Sequence, residues 1–139
     1  MMEVYSSALV GIWVILLTVF IQSMVASIAH RRQKHYVPGI VDDKLSHESF
    51  VFRSHRTLIN SLENLVLMLG TVVVAMLAGV EASWVAGTVW VYALARLAHM
   101  WLYYVIATEK NPSPRSYFYI IGMLANLVLL VKLGWSVLL

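Results

Sequence analysis

Four apolar stretches, roughly Ala8 to Ala29, Leu58 to Val80, Ala82 to Ala107 and Tyr117 to Leu139, dominate the chain and are separated by shorter polar segments. Each is near or above the ~20 residues that carry a helix across a ~30 Å hydrocarbon core. The short alternating segments of a barrel are missing, and a helix satisfies its own backbone donors and acceptors, so the pattern predicts spanning helices. A few residues around Glu81 join the second and third stretches, and about nine, Thr108 to Ser116, join the third and fourth. Links this short force antiparallel neighbours, as in an up-down bundle. The first connection, roughly His30 to Thr57, is long for a structureless link and is expected to fold over the mouth of the bundle on its side. The expectation is one all-α integral membrane domain over residues 1–139, with connections at about 30–57 and 108–116.

Composition agrees: of 139 residues, 60% are hydrophobic and only 12% charged, which is typical of a polytopic membrane protein. No Lys or Arg precedes the first stretch, which exceeds the ~7–15 residue core of a signal peptide, so it is expected to remain as a first helix. With no cysteine, the chain has no disulfide framework, no thiolate zinc site and no nucleophilic thiol of its own.

The net charge of +3 is unevenly placed. Arg31, Arg32, Lys34, Lys44, Arg53 and Arg56 lie in or beside the first connection, Lys110 and Arg115 in or beside the third. Both connections should therefore face the cytoplasm, with both termini opposite. Lys132, near the far end, can snorkel outward and is given no function. The basic residues flank apolar spans without a separate soluble domain, so no nucleic-acid partner is expected. His30, His35, His47 and His55 match no compact metal-ligand spacing, and no metal is expected.

Ionisable groups inside hydrocarbon cost about 2.5–3.5 kcal/mol each on insertion scales, so they mark a site. On the second helix Arg53, Arg56, Asn60 and Glu63 follow one another at helical spacing, a stripe running inward from the connection. On the third, Arg96, His99 and Tyr103 repeat the pattern in the same half of the membrane. Glu63 lies ~10 Å beyond Arg56 and Arg96 ~16 Å from Ala107, so the two approach if the helices are adjacent. The third element is Asn111-Pro-Ser-Pro-Arg-Ser116. Ser113 suits an N-cap and Pro114 the first helical position, which puts Arg115 and Ser116 among the free N–H groups of the first turn, an anion site, with Tyr119 one turn on.

Each feature also has a plainer explanation. Glu63 and Arg96 suit a buried ion pair that fixes register, Asn60 and Asn64 interhelical bonding, His99 a satisfied core histidine, and Tyr103 and Tyr119 an interfacial belt. Three polar stripes converging at one end favour a common site, since a register lock needs only two groups.

Arg56-x-x-x-Asn60-x-Leu62-Glu63-Asn64, Arg96-x-x-His99-x-x-x-Tyr103 and Arg115-Ser116-x-x-Tyr119 together resemble the MAPEG family, the membrane-associated proteins in eicosanoid and glutathione metabolism. The first motif is similar to microsomal glutathione transferases, the other two to the membrane prostaglandin E synthase branch. The resemblance implies a four-helix subunit that forms a homotrimer and binds glutathione between subunits near the cytoplasmic face. It implies that Arg56, Asn60, Glu63, Arg96, His99, Tyr103 and Tyr119 hold glutathione, and that Arg115 and Ser116 act catalytically on its sulfur, with Arg31 or Arg32 joining from the first helix. The implied activity is conjugation of apolar electrophiles or reduction of lipid hydroperoxides that arrive through the membrane lipid; a prostaglandin-synthase-like isomerisation also fits the Arg-Ser pair. Two other classes stay open: a non-catalytic relative that binds lipid or a protein, and a small proton-coupled exporter with Glu63 as its titrating carboxylate. The full polar set argues against the former, the arginines around Glu63 against the latter.

Overall fold

The computed structural model describes residues 3–139 and consists, over them, of four helices: α1 (Ser6–Arg31), α2 (Phe50–Leu77), α3 (Ala82–Val105) and α4 (Pro114–Leu138). Among the described residues there is no strand. Helices α1, α2 and α4 are long and apolar enough to cross a bilayer. The 24 residues of α3 also suffice for length, but they carry the polar side chains of the site.

Consecutive helices run antiparallel. Near the start of α1, the Tyr5 hydroxyl donates to the Val80 carbonyl (2.7 Å) and the Trp90 indole to the Ser7 carbonyl (3.2 Å). Near the end of α1, Val25, Ile28 and Ala29 share a cavity with Phe50 and Val51 at the start of α2. Lys132, late in α4, lies 4.1 Å from the ring centroid of Trp84, early in α3. The α2–α3 turn is set by Gly79, whose φ of +73° is a left-handed conformation that only glycine adopts without strain. Its N–H bonds to Met76 O (3.2 Å) and the Val80 N–H to Ala75 O (3.0 Å), which satisfies the last carbonyls of α2.

On α1 mostly small and polar residues turn inward, and many of the large apolar side chains of the bundle turn outward. Ala8, Gly11, Ile15, Thr18, Gln22 and Ala26 form the buried stripe of α1, whereas Trp13, Phe20, Trp101 and Trp135 are exposed. This is how helices pack in lipid, where tails solvate leucine as well as protein does and close backbone approach is what binds helices together. Gly11 is the tightest case, since a Cβ there would lie 2.6 Å from Val89 Cγ1. Valine is stiff at χ1 and cannot swing aside. Gly11→Ala should therefore cost roughly 1–3 kcal/mol by overpacking, read as a lower unfolding midpoint in detergent.

The core divides along the membrane normal. Met68, Val72, Ala75, Val85, Val89, Leu129 and Leu133 fill the half near the α2–α3 turn. The other half buries Ser54, Thr57, Ser61, Arg96, His99, Tyr103 and Ser113. Helix α2 starts at Phe50, about two turns before the apolar stretch begins at Leu58, so that Arg53 and Arg56 lie on it as their spacing predicts. Arg53 explains the extension: its guanidinium donates to His47 O (2.6 Å), Glu48 O (3.0 Å) and Tyr104 O (3.3 Å), pinning the new first turn to the end of α3.

Candidate functional site

At the end of the bundle that carries the first and third connections, a cavity of about 380 Å³ opens between α2, α3 and α4. Its lining is Asn60 from α2, His99 and Tyr103 from α3, Asn111 from the last connection, and Arg115, Ser116, Tyr119 and Ile120 from α4. Six of the nine residues named from the sequence thus meet in one place. Asn111 and Ile120 are additions; Asn111 lies within the Asn-Pro-Ser-Pro segment, but nothing in its spacing set it apart.

The start of α4 follows the expected local chemistry. Ser113 is the N-cap and Pro114 the first helical residue. The Ser113 N–H donates to Ser116 Oγ (3.2 Å), and the two hydroxyls share a further hydrogen bond of 3.2 Å, so Ser116 fixes the helix start as an acceptor. Arg115 lies over the Tyr103 ring, its guanidinium carbon 4.2 Å from the centroid, and donates through Nη2 to Thr108 O (3.1 Å). Its Nη1 is buried with no hydrogen-bond partner. Asn60 Oδ1 and His99 Nδ1 are buried and unpartnered as well. Buried polar atoms are rarely left unpaired, and these three belong to side chains that line one cavity.

Arg96 lies behind this wall. It is 4% exposed, and its Nη2 donates to Ser61 Oγ at 2.9 Å while Nε has no partner. Tyr92, Tyr119 and His99 are within its electrostatic reach. The expected approach of Glu63 and Arg96 is not realised. Glu63 and Arg56 are exposed, and among the described residues the one pairing of a basic with an acidic side chain is His47 with Glu109. The buried face of α2 is Ser54, Thr57, Ser61, Met68, Thr71, Val72 and Ala75, so the Arg56–Glu63 line falls on the outer flank, with Asn60 at the boundary. Serine and threonine take the inner face because their hydroxyls bond back to their own helix, as Thr57 Oγ1 does to Arg53 O (2.8 Å).

The first connection does fold back over the site. His47 Nδ1 lies 2.7 Å from Glu109 Oε2, its backbone N–H donates to Glu109 Oε1 (3.0 Å), and Nε2 lies 3.1 Å from Tyr103 Oη. The two rings stack, with centroids 5.7 Å apart and planes at 26°. Both hydrogen bonds from His47 hold the Glu109 carboxyl below the usual carboxylate range. His30 is engaged elsewhere, Nε2 to Val37 O at 2.9 Å. Arg31 and Arg32 line two other cavities between α1 and the start of α2, and within one chain neither reaches the Tyr103 cavity.

Four packed helices with an apolar outer surface and a polar cleft at one end define an integral membrane protein. A family model for MAPEG matches residues 8–135, nearly the whole chain, and the protein belongs to that family. Membership carries a membrane, glutathione-related function in general. No curated protein and no solved structure gives a significant match.

Proposed function

We propose that the protein is a glutathione-dependent membrane enzyme that ionises the glutathione thiol and directs it at apolar electrophiles or lipid hydroperoxides from the bilayer. The observation that carries this reading is the set of unpartnered atoms, Asn60 Oδ1, His99 Nδ1 and Arg115 Nη1, on side chains of one cavity at the start of a helix. Glutathione brings two carboxylates, an ammonium and a thiol, and supplies the sulfur that a chain without cysteine lacks. Arg115, the Ser116 hydroxyl and the positive end of α4 favour the charged form of a sulfur held there. Asn60, His99, Tyr103 and Tyr119 bind the polar body, and Arg96 draws a carboxylate inward.

Arg56 and Glu63 face out of the single subunit. In this reading they complete the site across a subunit boundary of a homotrimer, Glu63 taking the ammonium and Arg56 a carboxylate, with Arg31 or Arg32 of a neighbour alongside. The cleft faces the cytoplasm, as the distribution of basic residues favours. The exporter alternative loses ground, because Glu63, the one acidic residue within the four helices, lies exposed and not in an internal path.

Calorimetry of the detergent-solubilised protein tests the reading. Heat of binding is expected with both glutathione and S-methyl glutathione, and loss of most of it in Glu63→Gln. Absence of heat with both ligands would remove the enzyme.

A further inference from the structure

Whatever ionises a thiol must also dispose of its proton, and neither Arg115 nor Ser116 is a base. The site holds a chain of groups suited to that task, Tyr103, His47 and Glu109, of which the last two come from the connections. Glu109 is ionised and its side chain is 65% exposed, whereas that of His47 is 17% exposed. A carboxylate only accepts, so the 2.7 Å contact requires the hydrogen of a neutral His47 on Nδ1. Nε2 then offers a lone pair to Tyr103 at 3.1 Å, and the phenol is the donor. Tyr103 itself lines the cavity beside Arg115 and Ser116, and its oxygen keeps acceptor capacity.

We propose that Tyr103, His47 and Glu109 form the exit for the thiol proton, a role that rests on the glutathione reading above. The S–H bond breaks with both electrons left on sulfur; Tyr103 Oη takes the proton while its own O–H proton passes to His47 Nε2. The imidazolium so formed is held by the Glu109 carboxylate and loses a proton to water beside it, and the imidazole tautomers re-equilibrate with solvent. No oxidant or co-reactant is required. The charged groups around the line favour this direction. Arg115 lies over the Tyr103 ring, Arg53 from α2 donates to the His47 carbonyl, and Glu109 waits at the far end to meet the imidazolium. Phe52, edge-on to His47 at 4.9 Å, and the stacked Tyr103 hold the imidazole in place, and His99 packs edge-on against Tyr103 from within α3.

A latch that merely holds the connection against α3 would use the same contacts, so the test must separate proton transfer from binding. Stopped-flow mixing with glutathione in weak buffer follows thiolate absorbance and, through an indicator dye, proton release; S-methyl glutathione, which has no thiol proton, reports binding alone. In His47→Gln, whose amide bonds but accepts no proton, both rates should fall roughly tenfold or more, with S-methyl glutathione affinity within about twofold of wild type. Glu109→Gln should slow both rates in the same direction. In His47→Ala, added imidazole should restore part of the rate. Unchanged rates in His47→Gln, failure of imidazole to restore any rate, or a parallel loss of rate and S-methyl glutathione affinity would each overturn the relay. If the wild type does not bind S-methyl glutathione, the glutathione reading falls and takes the relay with it; if it binds and only the rates disagree, the relay alone is lost.

Discussion

Arg115→Ala should abolish the thiolate absorbance that glutathione develops on binding and lower turnover by roughly 10²–10³-fold, the usual cost of removing one aimed donor from a site of developing charge. Three features fix the guanidinium beforehand. Its plane rests on Tyr103, its Nη2 is tied to Thr108 O, and the first turn of α4 fixes its backbone. What remains is Nη1, buried and without a partner. A donor held in this way needs no reorganisation when negative charge appears, which is why so large a share of catalysis is expected from one side chain. Arg115→Lys should recover only part of the effect, because an ammonium keeps the charge but not the planar fork that lets one nitrogen anchor while the other acts. Ser116→Ala needs separate handling. Its Oγ also accepts the Ser113 N–H, so some of its loss will be helix stability, on the order of 1 kcal/mol for a lost capping contact. Retention of the thiolate signal in Arg115→Ala would remove Arg115 from the chemistry.

The sequence and the structure agree best where the chemistry is local. Capping rules that depend only on adjacent residues place Ser113, Pro114, Arg115 and Ser116, and α4 begins where those rules put it. The Arg96, His99, Tyr103 spacing likewise put all three on the buried face of α3. Helix α2 was harder to read, for two physical reasons. Its first turns, Phe50 to His55, lie ahead of the long apolar stretch, and they are held as helix by Arg53, which bonds to carbonyls at both the connection and the end of α3, a tertiary contact that periodicity does not register. Near the site its inner face is Ser54, Thr57 and Ser61, of which the first two bond to their own helix, while the more strongly polar line of Arg56 and Glu63, which the spacing favours for the inner face, is exposed. His47 could not be picked out among four histidines of the first connection, since its partners, Glu109 and Tyr103, are 62 and 56 residues away.

The two sets of arginines therefore have different physical standing, and this leads to a second large effect. Arg56 is exposed and costs the single subunit little, whereas Arg96 is 96% buried by its 4% exposure, with one hydroxyl for company and no carboxylate beside it. Burying a charge without its counter-ion costs several kcal/mol, and apolar replacement of buried charge clusters has been neutral or stabilising by about 1–4 kcal/mol. Arg96→Met keeps the length of that stem and drops the charge. Without ligand, the variant should unfold at a higher temperature than the wild type, by an amount equivalent to about 1–4 kcal/mol. Its affinity for glutathione should fall roughly 10- to 100-fold, the worth of one charge-assisted hydrogen bond, and the ligand should no longer raise its midpoint as it does that of the wild type. Ser61→Ala is the companion measurement, since it strips the guanidinium of its bond and leaves the charge; it should destabilise the free protein by about 1–3 kcal/mol. A gain in stability that accompanies loss of binding means that Arg96 is kept for a ligand, at the expense of the fold. If Arg96→Met instead unfolds more easily and binds glutathione undiminished, Arg96 is a packing element and the anion it was expected to hold lies elsewhere.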